Sequence, residues 1–243
     1  MKRITFTYDN IGQFYALGDT HIGAVNTDLK LLQKHINEID KFGLPWVHLG
    51  DWVDAITPKD RRYNVSERIE AVLDSYVKAE EMFEPIAKQC IAILSGNHGS
   101  HWSKQEGNMI RLIAKRWDVP YLGYCGLINY KTAENWTHKI WLHHGAGGGR
   151  KRGAKAIRLQ EWSQFVDADL YLQGHTHTYQ NFADEVVTFS GVKTRYFANV
   201  PGYIRSYCGV DGYVEELGLP PQPIRCLSIV LNKKKITVEP VFT

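Results

Sequence analysis

The feature of this sequence that most limits its fold is a recurrence. Short apolar runs stop abruptly at a glycine with Asp, Asn or His beside it. The runs are "QFYAL" before "GDTH", "WVHL" before "GDWVD", "CIAILS" before "GNH", "KIWL" before "HHG" and "LYLQ" before "GHTH". Runs of this length read as strands, and the unbroken "CIAIL" marks one covered on both faces. Helical periods lie between them. Leu29, Leu32, Ile36 and Ile39 put a helix over Thr27–Phe42, which Gly43 and Pro45 stop. A second helix is expected from about Ser66 to Gln89, with Ile69, Val72, Leu73, Tyr76 and Phe83 as its apolar stripe and Pro85 as its kink or end.

Ser103 and Glu106 form a capping-box pattern for a helix to about Asp118, and a further helix is expected from Ala154 to about Asp167. Ile4–Asp9 and Phe14–Asp19 read as strands around the turn "DNIG". Pro120–Tyr124, Leu127–Lys131 and Lys139–His144 read as strands too, followed by a β-rich end over Glu185–Ser190, Lys193–Val200, Arg225–Leu231 and Lys235–Val241. Strands alternating with helices, then strands alone, predict an α/β fold with two sheets.

A chain of 243 residues can bury a sizeable core, and it reads as a single domain over residues 1–243. Its 44% hydrophobic and 23% charged content is that of a globular protein, and a net charge of +3 does not by itself specify a nucleic-acid partner. No stretch approaches the roughly 20 apolar residues of a membrane span, and the start of the chain lacks a signal-peptide run. Cys90, Cys125, Cys208 and Cys226 show no C-x-x-C spacing, so the expectation is a cytoplasmic protein with reduced thiols.

Taken singly, each polar strand end has an ordinary explanation as a turn or cap. Taken together they point to a metal. In open α/β sheets ligands gather outside the carboxyl ends of strands, so neighbouring strands would bring these side chains to one place. Imidazole, carboxylate and amide oxygen form a donor set suited to manganese first, with iron or zinc as alternatives, and not to a thiolate-seeking ion.

The blocks D-x-H, G-D-x-x-D, G-N-H, H-G and G-H-x-H, in this order over residues 19 to 177, resemble the signature of the calcineurin-like metallophosphoesterase superfamily. The resemblance implies a four-layer αββα sandwich of two mixed sheets, with a metal site at the strand C-terminal ends. It implies two divalent ions: Asp19, His21 and His177 on one, Asn97, His144 and His175 on the other, and Asp51 bridging. His144 is preferred to His143 because it directly precedes Gly145. A hydroxide bridging the ions would hydrolyse a phosphodiester, with His98 giving a proton to the leaving oxygen and Asp54 orienting His98. Gly99 stands where the superfamily usually has an acid, which leaves His98 leaning on Asp54 or sharing its task with His101.

The substrate is less constrained. "GAGGGRKRGAKAIR" places Arg150, Lys151, Arg152, Lys155 and Arg158 just after His144, which suits DNA, RNA or a nucleotide; the alternative is a solvated basic helix start. Trp102 could stack on a base or seal the core. Tyr203, Tyr207 and Tyr213 read first as core residues, with cleft-lining as the alternative. The "DTHIG" form is similar to recombination-repair exonuclease subunits of the superfamily. "GDWVDAI" departs from the protein-phosphatase block, and the His of G-N-H departs from the lipid-precursor pyrophosphatases. The competing readings are a small-metabolite phosphatase or pyrophosphatase and a non-catalytic scaffold of the same fold.

Overall fold

The computed structural model of the chain describes residues 1–8, 12–58, 69–98, 108–133, 136–147, 149–209, 212–221, 223–233 and 235–242. In chain order the first strands are β1 (Lys2–Tyr8), β2 (Gly12–Leu17), β3 (Trp46–His48), β4 (Cys90–Leu94), β5 (Tyr121–Gly123) and β6 (Cys125–Thr132). They are followed by β7 (Thr137–His143), β8 (Leu170–Gln173), β9 (Gln180–Thr188), β10 (Gly191–Asn199), β11 (Leu227–Leu231) and β12 (Ile236–Pro240). The α-helices are α1 (Leu29–Phe42), α2 (Val72–Phe83), α3 (Met109–Arg116), α4 (Arg152–Glu161) and α5 (Tyr213–Glu216).

The strands form two six-stranded mixed sheets, ordered β1-β6-β7-β8-β10-β9 and β12-β11-β2-β3-β4-β5. Strand alternation sets the layers, because successive side chains point to opposite faces. Phe14, Ala16, Val47, Ile128, Ile140, Leu142, Leu170 and Leu172 meet in the core between the sheets. Their neighbours Tyr15, Leu17 and Trp46 face the other way, onto Leu32 and Ile36 of α1, Tyr76 and Phe83 of α2 and Ile113 of α3. Leu127, Trp141, Tyr171 and Phe197 likewise turn outward onto Leu159 of α4. Each sheet is therefore covered on both faces, giving the expected α-β-β-α layering.

Local chemistry places most boundaries near their sequence signals. Asp28 caps α1 by accepting from the Leu31 N–H at 3.0 Å, and Gly43 ends it in the left-handed region at φ 59°. The α-helical part of the second predicted helix ends at Phe83, and Pro85 sits in the 3-10 turn Glu84–Gln89 that follows.

Two expectations need correction. Ile69 and Leu73 are half exposed rather than core, and only Val72, Tyr76 and Phe83 of the predicted stripe are buried. β1 and β2 do not form a hairpin: β1 pairs in parallel with β6, and β2 lies between β11 and β3 in the other sheet. The C-terminal strands also divide, with β9 and β10 extending the β8 edge and β11 and β12 extending the β2 edge. The capping pair Ser103 and Glu106 lies outside the described residues; the described helix α3 is capped by Asn108, which accepts from Arg111 N–H at 2.9 Å.

Candidate metal centre

The polar strand ends converge. β2, β3 and β4 are parallel neighbours, so Asp19, Asp51 and Asn97 emerge side by side from one sheet. β7 and β8 are parallel neighbours in the other, delivering His144 and then His175 and His177.

Asp19, His21 and His177 present donor atoms within 4.8 Å of one another, as do Asp51, His144 and His175. His21 Nε2 lies 3.2 Å from His177 Nε2, 4.0 Å from Asp19 Oδ1 and 3.8 Å from Asp51 Oδ2. His177 Nε2 lies 3.4 Å from Asp19 Oδ1. Asp51 Oδ2 lies 3.3 Å from His144 Nε2, which is also 2.9 Å from Asn97 Oδ1. The Asp51 carboxylate thus stands between the two groups, while its other oxygen accepts from the His98 N–H at 2.9 Å.

These donors fit a cation. Asp19 Oδ1 is buried without a hydrogen-bond partner, and an unpaired buried carboxylate oxygen is costly unless a cation meets it. The backbone carries a second sign. Among the described residues the non-glycine positive-φ positions are Asp19, His21, Asp51, Asp118, His175, His177 and Tyr207, so most belong to the predicted ligands. Such conformations cost on the order of 1 kcal/mol or more each and persist where the surroundings over-determine them. Glycines make the close approach possible: a Cβ on Gly96 would sit 1.9 Å from Asp51 Oδ1, and one on Gly50 would sit 2.6 Å from Ser95 O.

Electrostatics follow the same geometry. Burial pushes the Asp51 carboxyl up, but the imidazoles of His144 and His98 outweigh it and hold it well below the carboxylate range. Burial pulls His144 down, yet Asp51 and Asp19 raise it to about 9. His175, disfavoured as a cation by burial and by His144, falls to about 4. The cluster therefore has two buried acids partly balanced by imidazoles from the opposite sheet.

The choice between the adjacent histidines is now structural. His144 donates Nδ1–H to the Leu49 carbonyl at 2.8 Å, which leaves Nε2 as the nitrogen facing Asp51. His143 accepts from Gly145 N–H at 2.7 Å and stacks on Trp162 with ring centroids 4.0 Å apart.

His98 Nδ1 lies 2.9 Å from Asp54 Oδ1, as the acid-orienter pair requires. His98 also groups with His21 and Asp51 as a possible cation donor, a placement the sequence pattern does not anticipate.

The basic segment after His144 is used mainly within the protein. Arg150 donates to the Leu217 carbonyl, and Arg158 Nη1 to the Ala146 carbonyl at 3.1 Å. Lys155 Nζ donates to Thr176 O at 3.1 Å and Thr178 Oγ1 at 2.7 Å, straddling His177. Lys151 and Arg152 stay exposed. His101 and Trp102 lie outside the described residues. Tyr203 is buried against His35, Tyr207 is largely exposed, and Tyr213 reaches His177 Nδ1 at 3.1 Å. Sequence reasoning missed these roles of Lys155 and Tyr213, which carry no local signal because each partner is more than 20 residues away.

Fold and site together define a layered α/β protein with a buried Asp/His cluster able to hold divalent cations. Among solved structures, the chain is similar to a predicted phosphoesterase from Streptococcus pneumoniae TIGR4 at 12% identity, covering 96% of this chain and 91% of that one with a TM-score of 0.45. It is also similar to Yfce, a phosphoesterase from E. coli, at 15% identity, 93% and 98% coverage and a TM-score of 0.47. A Thermotoga maritima protein solved by NMR shows 14% identity, 96% and 100% coverage and a TM-score of 0.38. No protein-family model and no curated relative matches the chain in sequence.

Proposed function

We propose that this chain is a phosphoesterase that works with two divalent cations, with phosphodiesters of nucleic acids or nucleotides as its preferred class. The observation that carries this reading is the meeting of Asp19, His21 and His177 with Asp51, His144 and His175 at adjoining strand ends. The order of the sequence blocks, which resembles that of the calcineurin-like superfamily, supports the same reading.

In the proposed site Asp19, His21 and His177 would hold one cation and Asn97, His144 and His175 the other, with Asp51 shared between them. Cations held there would supply Lewis acidity toward phosphoryl oxygens and acidify water. The chain's own residues do the rest. Asp54 accepts from His98 Nδ1 and fixes the ring, so that His98 can deliver a proton from Nε2 to the departing oxygen. The half-buried His98, Asn97 and His175 form the open side of the cluster, where substrate enters. Lys151 and Arg152 are the basic side chains left for an anionic backbone. Arg150 acts as an internal clasp instead.

One observation favours a second reading, a small-metabolite phosphatase. With Arg150, Lys155 and Arg158 each donating to the protein's own oxygens, the basic surface is more engaged than the sequence suggests. Hydrolysis of bis-p-nitrophenyl phosphate and of the monoester, with Mn²⁺ and after metal removal, separates the two. Faster diester turnover that vanishes without metal is expected. Monoester preference would select the second reading, and absence of turnover on either with any divalent ion would end both.

A further inference from the structure

Tyr213 opens α5 and stands outside the strand-end motifs, yet its hydroxyl lies 3.1 Å from His177 Nδ1. The other nitrogen of that ring, Nε2, faces His21 Nε2 at 3.2 Å and Asp19 Oδ1 at 3.4 Å. A neutral imidazole offers one lone pair and one N–H, and the partner of one nitrogen decides which is which. For Nε2 to present its lone pair toward Asp19 and His21, Nδ1 must carry the proton and needs an acceptor. His144 meets this requirement with the Leu49 carbonyl. His177 has the phenol oxygen of Tyr213 in the equivalent place.

The phenol is held there from several directions. Arg150 donates to the carbonyls of Leu217 and Gly218 at the end of α5. Glu215 accepts from the N–H groups of Gly212 and Tyr207, tying the start of the helix to the preceding loop. A phenol oxygen accepts as well as donates, so it can take the N–H of the ring it faces.

We propose that Tyr213 is a positioning residue that accepts the Nδ1–H of His177, fixing the ring so that Nε2 serves the cation site, with Arg150 clasping α5 in place. This rests on the cation site of the proposed function. Removing a hydrogen-bond partner behind a metal-binding imidazole typically lowers affinity by roughly 10- to 100-fold.

The test uses the full chain. Mn²⁺ affinity of the parent and of Tyr213→Phe is measured by calorimetry, and the His177 tautomer of the metal-free proteins by long-range ¹H–¹⁵N NMR. The expected result is an Nδ1–H tautomer in the parent, a shift toward Nε2–H in Tyr213→Phe, and Mn²⁺ affinity reduced by roughly 10- to 100-fold. A structural role alone would leave the tautomer unmoved. Should Tyr213→Phe not fold, an Nε2–H tautomer in the parent still overturns the proposal. Mn²⁺ binding at parental affinity by Tyr213→Phe overturns the role of Tyr213 and leaves the cation site standing. Absence of binding by the parent overturns the cation site itself, and this proposal with it.

Discussion

The two sheets contribute different chemistry to one cluster. The β2-β3-β4 ends supply the carboxylates Asp19, Asp51 and Asp54, with His21, Asn97 and His98. The β7-β8 ends supply imidazoles alone, His144, His175 and His177. Two close acid–imidazole pairs run between the sheets, His144 to Asp51 at 3.3 Å and His177 to Asp19 at 3.4 Å, while His98 meets Asp54 at 2.9 Å within one of them. The β2-β3-β4 ends offer His21, Asp51 and His98 as a donor group of their own, but the groups Asp19–His21–His177 and Asp51–His144–His175 each need the opposite sheet. The apolar core between the sheets sets the register in which acid meets imidazole, which links burial of residues such as Ala16 and Leu172 to function.

Substitutions that unbalance this division should differ in size. The largest effect is expected from Asp51→Asn, which reaches both groups. Losing the stabilisation of several kcal/mol that metal catalysis supplies should lower kcat/KM by roughly 10³-fold or more. Elemental analysis should show metal lost along with activity. His98→Ala should instead retain metal and slow turnover by roughly 10²- to 10⁴-fold, least for substrates with good leaving groups. Metal lost from His98→Ala would make His98 a ligand, in keeping with its place beside His21 and Asp51.

The pairing across the sheets also predicts a pH dependence. His144 is raised to about 9 from an ordinary 6.5 by Asp51, despite burial. A raised imidazole contributes stability that is complete below pH 6.5 and lost as pH climbs through about 9. In chelator, the parent should lose up to roughly 3 kcal/mol over that window relative to His144→Asn, at 1.36 kcal/mol per pKa unit. Denaturant unfolding at pH 6.5 and pH 9.5 checks this, and equal losses in the two proteins would remove His144 as the cause. The smallest effect is expected from Lys155→Met, which removes the Lys155 hydrogen bonds to the Thr176 carbonyl and the Thr178 hydroxyl. A loss of about 1 kcal/mol in stability, with weaker Mn²⁺ binding, is the expected outcome. Unchanged Mn²⁺ affinity would show that Lys155 supports the fold and not the His175–His177 loop.

Local and long-range features differed in how far the sequence exposed them. α1 was legible because Leu32, Ile36 and Ile39 repeat on one face and Asp28 and Gly43 bracket it. The layers were legible through the resemblance of the motif blocks and not from alternation, since runs such as "LYLQ" and "CIAIL" are nearly continuous in apolar residues. The convergence of the strand ends followed from parallel β2-β3-β4 and β7-β8 pairing, which short apolar runs predict. The partition of strands between sheets was not legible, since β1 and β2 carry similar patterns and only distant partners, β6 and β11, separate them. Leu73 looked like core because periodicity reports a face and not whether a neighbour covers it, and Ile69 because the stripe was extended past the start of α2 at Val72. The destinations of Arg150, Lys155 and Tyr213 depend on contacts across the fold, and a charge run reads the same whether its ends face solvent or a carbonyl.

The direct test is calorimetric titration of the metal-free protein with Mn²⁺, beside Asp19→Asn from one sheet and His144→Asn from the other. A cation site built by both sheets predicts two ions bound by the parent and weakened binding in each variant. Failure of the parent to bind, or parental binding in both variants, would contradict it.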